Sequence, residues 1–281
     1  IKEGVVGAAM EFNKQLDAEV THTVICGDNF MGSNESEAVE KILSLLEDKD
    51  FDIDEDDGET FSRNIDGFDC KVNFELFNCE YMDQIEKNFS GIISKNGCPD
   101  IFINCSYPRT ADWGKSSFKD VTLDSFRQNI DIHMNSYTWL ARLAAEEMVN
   151  NKKSGSIIQL GSTYGIVGQD LSVYEGTEMT ENMTYATIKG GVINLTRQMA
   201  SYYGQFNIRI NTLCPGGLEG HVAGKDKTQN QTFVKQYNKK SPLKRLGRAD
   251  EIASTALFLA SDASSYISGA TIVVDGGWTS I

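Results

Sequence analysis

The sequence has no run of eighteen apolar residues, which excludes a helix that crosses a bilayer. It has no basic start followed by an apolar stretch, so the expectation is a chain without a signal peptide, working in the cytoplasm. Cys26, Cys70, Cys79, Cys98, Cys105 and Cys214 include no C-x-x-C pair. They read as reduced thiols, most of them in apolar, strand-like surroundings, with no metal site expected. Positive charge is short: 26 Lys and Arg stand against 40 Asp and Glu, a net charge of −14. That argues against a nucleic-acid partner and against an anionic membrane surface. No internal repeat and no linker divides the 281 residues, a length ordinary for one α/β domain.

Much of the negative charge is local. Residues 47–59 hold nine acids and one lysine. Their spacing does not follow a calcium-binding loop, and they read as a solvated, mobile surface insertion between the second and third strands. Elsewhere, apolar strand-like runs alternate with helical patterns. Strands are expected near 21–26, 71–77, 100–104, 157–160 and 208–213, and helices near 39–46, 82–93 and 185–196. One long helix or a broken pair is expected over 122–150. Such alternation predicts an α/β fold with a doubly wound parallel sheet of Rossmann type. The polar, lysine-bearing stretch 217–243 is expected to cover a substrate pocket.

Tyr185-Ala-Thr-Ile-Lys189 places a phenol and an ammonium four residues apart, on one helix face. A lysine beside a phenol favours the phenolate and predicts a lowered Tyr185 pKa, hence a proton donor and acceptor near neutral pH. Ser162, in Gly161-Ser162-Thr163-Tyr164-Gly165 after a buried strand, supplies a hydroxyl able to hold a carbonyl oxygen. The three groups suit interconversion of an alcohol and a ketone. The Ser-x-x-Gly spacing selects Ser162 over Thr163, and neither Tyr164 nor Tyr174 has a lysine four residues on.

Taken with Cys214-Pro215-Gly216 and the C-terminal Val273-Val274-Asp275-Gly276-Gly277, these motifs make residues 156–281 resemble the short-chain dehydrogenase/reductase family. Asn104-Cys105-Ser106-Tyr107-Pro108-Arg109, where that family has Asn-Asn-Ala-Gly, and the lengthened loop around Tyr174 resemble its flagellin-modification and surface-sugar subgroup. The resemblance implies Tyr185 as acid and base, Lys189 holding the nicotinamide ribose, and Ser162 orienting the substrate oxygen. It implies Asn104, Pro215 and Gly216 along the cofactor, and Asn78 at the adenine. Asp28, after the second strand, would bind the ribose hydroxyls and favour NAD(H) over NADP(H); a plain turn residue is the alternative. Gly4 and Gly7 align with the second and third glycines of the phosphate-binding turn. The strand and first glycine that precede them in the family are missing, and the expectation is a fragment or a trimmed start.

Two departures bear on the site. His133 occupies the place of the asparagine that supports a proton relay, and is either a relay or a core residue. Ser162 and Tyr185 are 23 positions apart, which enlarges the intervening loop. Gln169, Tyr174 and Glu175 on that loop could bind a polyhydroxylated substrate, or the loop could be solvated or meet another subunit. Arg109 could take an acidic substrate group or make a structural ion pair. The expected function is an oxidoreductase acting on a small molecule, a sugar or nucleotide-sugar. A carbonyl or acyl-carrier ketone reductase is the first alternative, and a scaffold without catalysis the second. The resemblance also implies a homotetramer or homodimer.

Overall fold

Ser156 to Leu160 are buried without a break, and so is Ile208 to Pro215 apart from Arg209. Continuous burial of this kind marks strands covered on both faces, the habit of parallel sheets. In the computed structural model they are β6 (Gly155–Leu160) and β7 (Ile208–Pro215), flanked by β5 (Ile101–Asn104) and β8 (Thr271–Val274). The order is β5-β6-β7-β8, all parallel. The structure describes residues 77–219 and 229–281 in full, with the backbone of four earlier strands: β1 (Val20–Cys26), β2 (Asp52–Ile53), β3 (Thr60–Ile65) and β4 (Phe68–Leu76). Those four form a second sheet in the order β1-β4-β3-β2.

Alternation along the strands sorts side chains to opposite faces. Ile157, Ile208 and Ile210 pack with α1 (Ile85–Asn96), α3 (Ser136–Asn150) and the later turns of α4 (Met183–Tyr203). Ile158, Leu160 and Leu213 face the other way, onto Ile252, Ala256 and Leu259 of α6 (Ala249–Ala260). Ser156 shares that second face, and its hydroxyl donates to the Leu259 carbonyl at 2.8 Å. Helices thus cover both faces of a parallel sheet, the doubly wound arrangement.

Two expectations are corrected. β1 and β4 pair in parallel, but β2, β3 and β4 run antiparallel. Only two residues separate β3 from β4, too few for a parallel crossover. The acidic 47–59 stretch is accordingly not wholly loop, since Asp52–Ile53 pair with Phe61 and Ser62. Of the long helix or broken pair expected over 122–150, the structure has the broken pair. α2 (Leu123–Asn129) passes through a π-helical turn, Ile130–Asn135, into α3. The helix expected at 39–46, and Gly4, Gly7 and Asp28, lie outside the described residues. No helix among the described residues is long and apolar enough to cross a membrane.

Candidate active site

Ligand sites of open α/β sheets lie beyond the carboxyl ends of the strands. Asn104 is the last residue of β5, Ser162 stands two residues beyond β6, and Pro215-Gly216 close β7. α4 brings Tyr185 and Lys189 to the same end. Its N-cap is Asn182, whose Oδ1 accepts from the Tyr185 amide at 2.7 Å. Gly165 lets the turn after Ser162 close onto this helix. A Cβ there would sit 2.7 Å from the Lys189 carbonyl carbon and oxygen.

Tyr185 and Ser162 meet. Burial raises the Tyr185 phenol to about 12, while its hydrogen bond with Ser162 draws it down. The Lys189 ammonium donates to the Leu160 carbonyl at 2.8 Å. It lies 4.6 Å from the Tyr137 ring centre and 5.8 Å from that of Tyr185. Burial lowers Lys189 to about 7, against which Cys214 and Cys105 pull it up. The lowered phenol pKa expected from the Tyr-x-x-x-Lys spacing is therefore corrected. Desolvation is the largest cause for both groups, and the lysine rather than the tyrosine is the group set near neutrality.

His133 is fully buried on the π-helical turn, and neither ring nitrogen has a hydrogen-bond partner. Burial, then the charges of Lys189 and Arg109, hold it well below the usual imidazole range, so it is neutral. Around it stand Tyr107, Tyr137 and Trp113, with ring centres 5.2, 5.4 and 6.1 Å away. Tyr107 and Trp113 also meet the Tyr185 ring edge to face, at 5.9 and 6.2 Å. The segment bearing them is tied down. Tyr137 Oη donates to the Ser106 carbonyl at 2.7 Å, the Thr110 amide to Asn129 Oδ1 at 3.1 Å, and the Met183 amide to the Ser116 carbonyl at 2.8 Å. The Arg109 guanidinium lies 5.2 Å from the Tyr107 ring centre. Sequence reasoning did not single out Tyr107, Trp113, Tyr137 or Asn182. Asn182 carried a readable signal, a capping residue immediately before an apolar helix.

The cofactor-side residues divide. Asn104 is buried; its Oδ1 accepts from the Ser106 amide at 3.2 Å, and its Nδ2 has no partner. An unpartnered buried amide at a strand end fits a polar ligand there. A Cβ on Gly216 would meet Asp275 at 2.8 Å, and the Gly217 amide donates to Tyr237 Oη at 2.6 Å. Backbone is thus free of side chain where β7 opens. Asn78 follows β4 and its Oδ1 accepts from the Glu80 amide at 2.7 Å.

The loop candidates are largely engaged elsewhere. Gln169 bonds both backbone groups of Asn182, at 2.9 and 3.1 Å. Tyr174 donates to Gln169 Oε1 at 3.2 Å and stacks on Phe233 of α5 (Gln231–Lys240). Glu175 is exposed, and its carbonyl accepts from Gln236. α5 lies within the 217–243 stretch expected to cover the pocket. Cys98 and Cys214 are free thiols.

Comparison with known proteins agrees with this geometry. The family model described as Enoyl-(Acyl carrier protein) reductase matches residues 51–279. A second, Glycine/sarcosine/betaine reductase selenoprotein B, matches only residues 1–61. The chain is 33% identical to Post-translational flagellin modification protein A of Campylobacter coli over 73% of each chain. It is 32% identical to the L-rhamnose-1-dehydrogenase of Scheffersomyces stipitis, over 58% of this chain and 59% of that one. A short chain dehydrogenase from Leptospira borgpetersenii, solved with bound NAD+, superposes with a TM-score of 0.68 at 24% identity, covering 94% of both chains. With Ser162, Tyr185 and Lys189 gathered at the carboxyl end of a doubly wound sheet, the chain belongs to the short-chain dehydrogenase/reductase family.

Proposed function

We propose that the protein is an NAD(H)-linked oxidoreductase that interconverts a hydroxyl and a carbonyl on a sugar or nucleotide-sugar of surface-polysaccharide or flagellin-glycan synthesis. The meeting of Ser162 with Tyr185, beside buried Lys189, carries the reading. Ser162 Oγ orients the substrate oxygen. Tyr185, neutral below about 12, gives its Oη proton to that oxygen in reduction and takes it back in oxidation. Lys189, set near 7, exchanges the proton onward, and neutral His133 offers two ring nitrogens to a relay beyond it. Asn104, Pro215 and Gly216 would hold a nicotinamide cofactor, which supplies the hydride chemistry when bound. The flat faces of Tyr107 and Trp113 favour a ring-shaped substrate, and the names of the two relatives given above point the same way. The protein would work in the cytoplasm as a homodimer or homotetramer.

An acyl-carrier ketone reductase is the second reading, supported by the name of the matching family model and by Lys235 and Lys239 on α5. Calorimetric titration of NAD, NADH and NADPH, followed by turnover of sugars and carrier-bound ketones, separates the readings. Tight NADH and weak NADPH binding is expected, and Tyr185→Phe should cut turnover by about 10²–10⁴-fold with NADH affinity kept. Absence of any nucleotide binding would leave the scaffold reading in place.

A further inference from the structure

Gln169, Tyr174 and Asn182 form a connected path from α5 to the first turn of the catalytic helix. Gln169 grips one residue twice: its Nε2 donates to the Asn182 carbonyl at 2.9 Å, and its Oε1 accepts from the Asn182 amide at 3.1 Å. Asn182 in turn holds α4. Its Oδ1 accepts from the Tyr185 amide at 2.7 Å, and its Nδ2 donates to the Trp113 carbonyl at 3.3 Å. On the far side, Tyr174 Oη donates to the same Gln169 oxygen at 3.2 Å. The Tyr174 ring lies parallel to Phe233 of α5, at 5.9 Å and 7°. Lys240 of α5 also pairs with Asp170, next in sequence to Gln169.

We propose that Gln169 is a positioning residue for Tyr185, and that the loop 166–181 fixes the first turn of α4 against α5. Tyr185 is the third residue of its helix. The first turn of a helix has amides without intrahelical partners and frays readily. A tyrosine placed there owes its direction to whatever holds the turn. Reacting groups tolerate little displacement: a misplacement of about 1 Å costs about a hundredfold in rate. The enlarged spacing between Ser162 and Tyr185 supplies the residues that make this hold. α5 also touches the end of β7, through the Gly217 amide on Tyr237 Oη at 2.6 Å. One helix therefore braces both the proton donor and the Pro215–Gly217 segment. Two of the side chains expected from sequence to bind substrate, Gln169 and Tyr174, act instead on the catalytic helix.

The proposal rests on the catalytic reading of Tyr185, so the test includes a readout that needs no turnover. Hydrogen exchange of the amides 183–186 is followed in the full-length protein and in Gln169→Leu, Gln169→Glu, Tyr174→Phe and Phe233→Leu. Exchange there should rise about tenfold in Gln169→Leu and by a smaller factor in Tyr174→Phe and Phe233→Leu. Gln169→Glu keeps both acceptor contacts and should recover part of the protection. With substrate in hand, kcat should fall about tenfold in Gln169→Leu while substrate KM and NADH affinity hold. Unchanged exchange at 183–186 in folded Gln169→Leu overturns the proposal. So does a loss confined to substrate KM, which would return Gln169 to the substrate. If Gln169→Leu does not fold, Tyr174→Phe, which removes one hydroxyl, decides between brace and no brace through the same amides. Raised exchange in a protein that turns over nothing would uphold the brace and defeat the catalytic reading instead.

Discussion

Lys189 is the residue whose chemistry the fold alters most. It is 2% exposed, and burial brings its ammonium from the ordinary 10.5 down to about 7. Between those values the unfolded chain binds more protons than the folded one, so this group makes stability rise with pH across the window. Below about 7 the cost of burying the cation is felt in full. Lys189→Met should therefore melt higher than the parent at a pH of about 6, with the advantage shrinking by about 9.5, while catalysis is lost. Melting curves at the two values decide it; an advantage that grows with pH would contradict the assignment. At the same scale, Trp113 stands edge to face with Tyr185 at 6.2 Å. A ring stacked on an aromatic gains about 0.5–1.5 kcal/mol. Trp113→Ala should accordingly raise KM for ring substrates about three- to tenfold and leave acyclic ketones nearly unaffected.

The elements that make the site are held by short-range devices. Thr122 caps α2, accepting from the Ser125 amide at 3.2 Å, and the helix then runs into the π-helical turn that carries His133. Such turns appear often at functional sites. Its exposure of two bare imidazole nitrogens to the interior is consistent with that habit. The contact of the Ser162 turn with α4 depends on Gly165, where a Cβ would lie 2.7 Å from Lys189 backbone atoms and from Ile193 Cδ1. Gly165→Ala should push the turn from the helix, cost about 1–3 kcal/mol and separate Ser162 from Tyr185. A lower melting temperature together with a reduced kcat is the expected result, and a fully active, equally stable variant would show that the contact relaxes without consequence.

At the scale of the whole molecule, among the described residues the sheet that carries the site ends at β8, where Val273 is 39% exposed. Phe258 is 40% exposed on the adjoining α6. Uncovered edge strands invite pairing. Gel filtration should give a multiple of the 31.1 kDa chain mass, and a monomer at micromolar concentration would count against association through this edge. The N-terminal sheet is a separate matter. Asp66-Gly67 stands in sequence between the antiparallel strands β3 and β4, and such a pair signals a hairpin. That signal was present in the sequence and was hidden by the acidic residues before it.

What the sequence determined by itself was the local and the chemical. Ile157, Ile158 and Leu160, and Ile208, Ile210 and Leu213, mark β6 and β7 as short strands bounded by turn residues. Tyr185 and Lys189 share a helix face because four residues make about one turn, and the Ser-x-x-Gly spacing put Ser162 before a tight turn. The tertiary structure decided everything that depends on residues far apart meeting. It placed Tyr107 and Trp113 against Tyr185, and engaged Gln169 and Tyr174 with Asn182 and Phe233. It also reversed the electrostatics at the site. Spacing along a helix gives the attraction between a lysine and a tyrosine, but the cost of removing both from water is set by every other element packed around them. Burial is a property of the assembled fold, and no local stretch of sequence contains it.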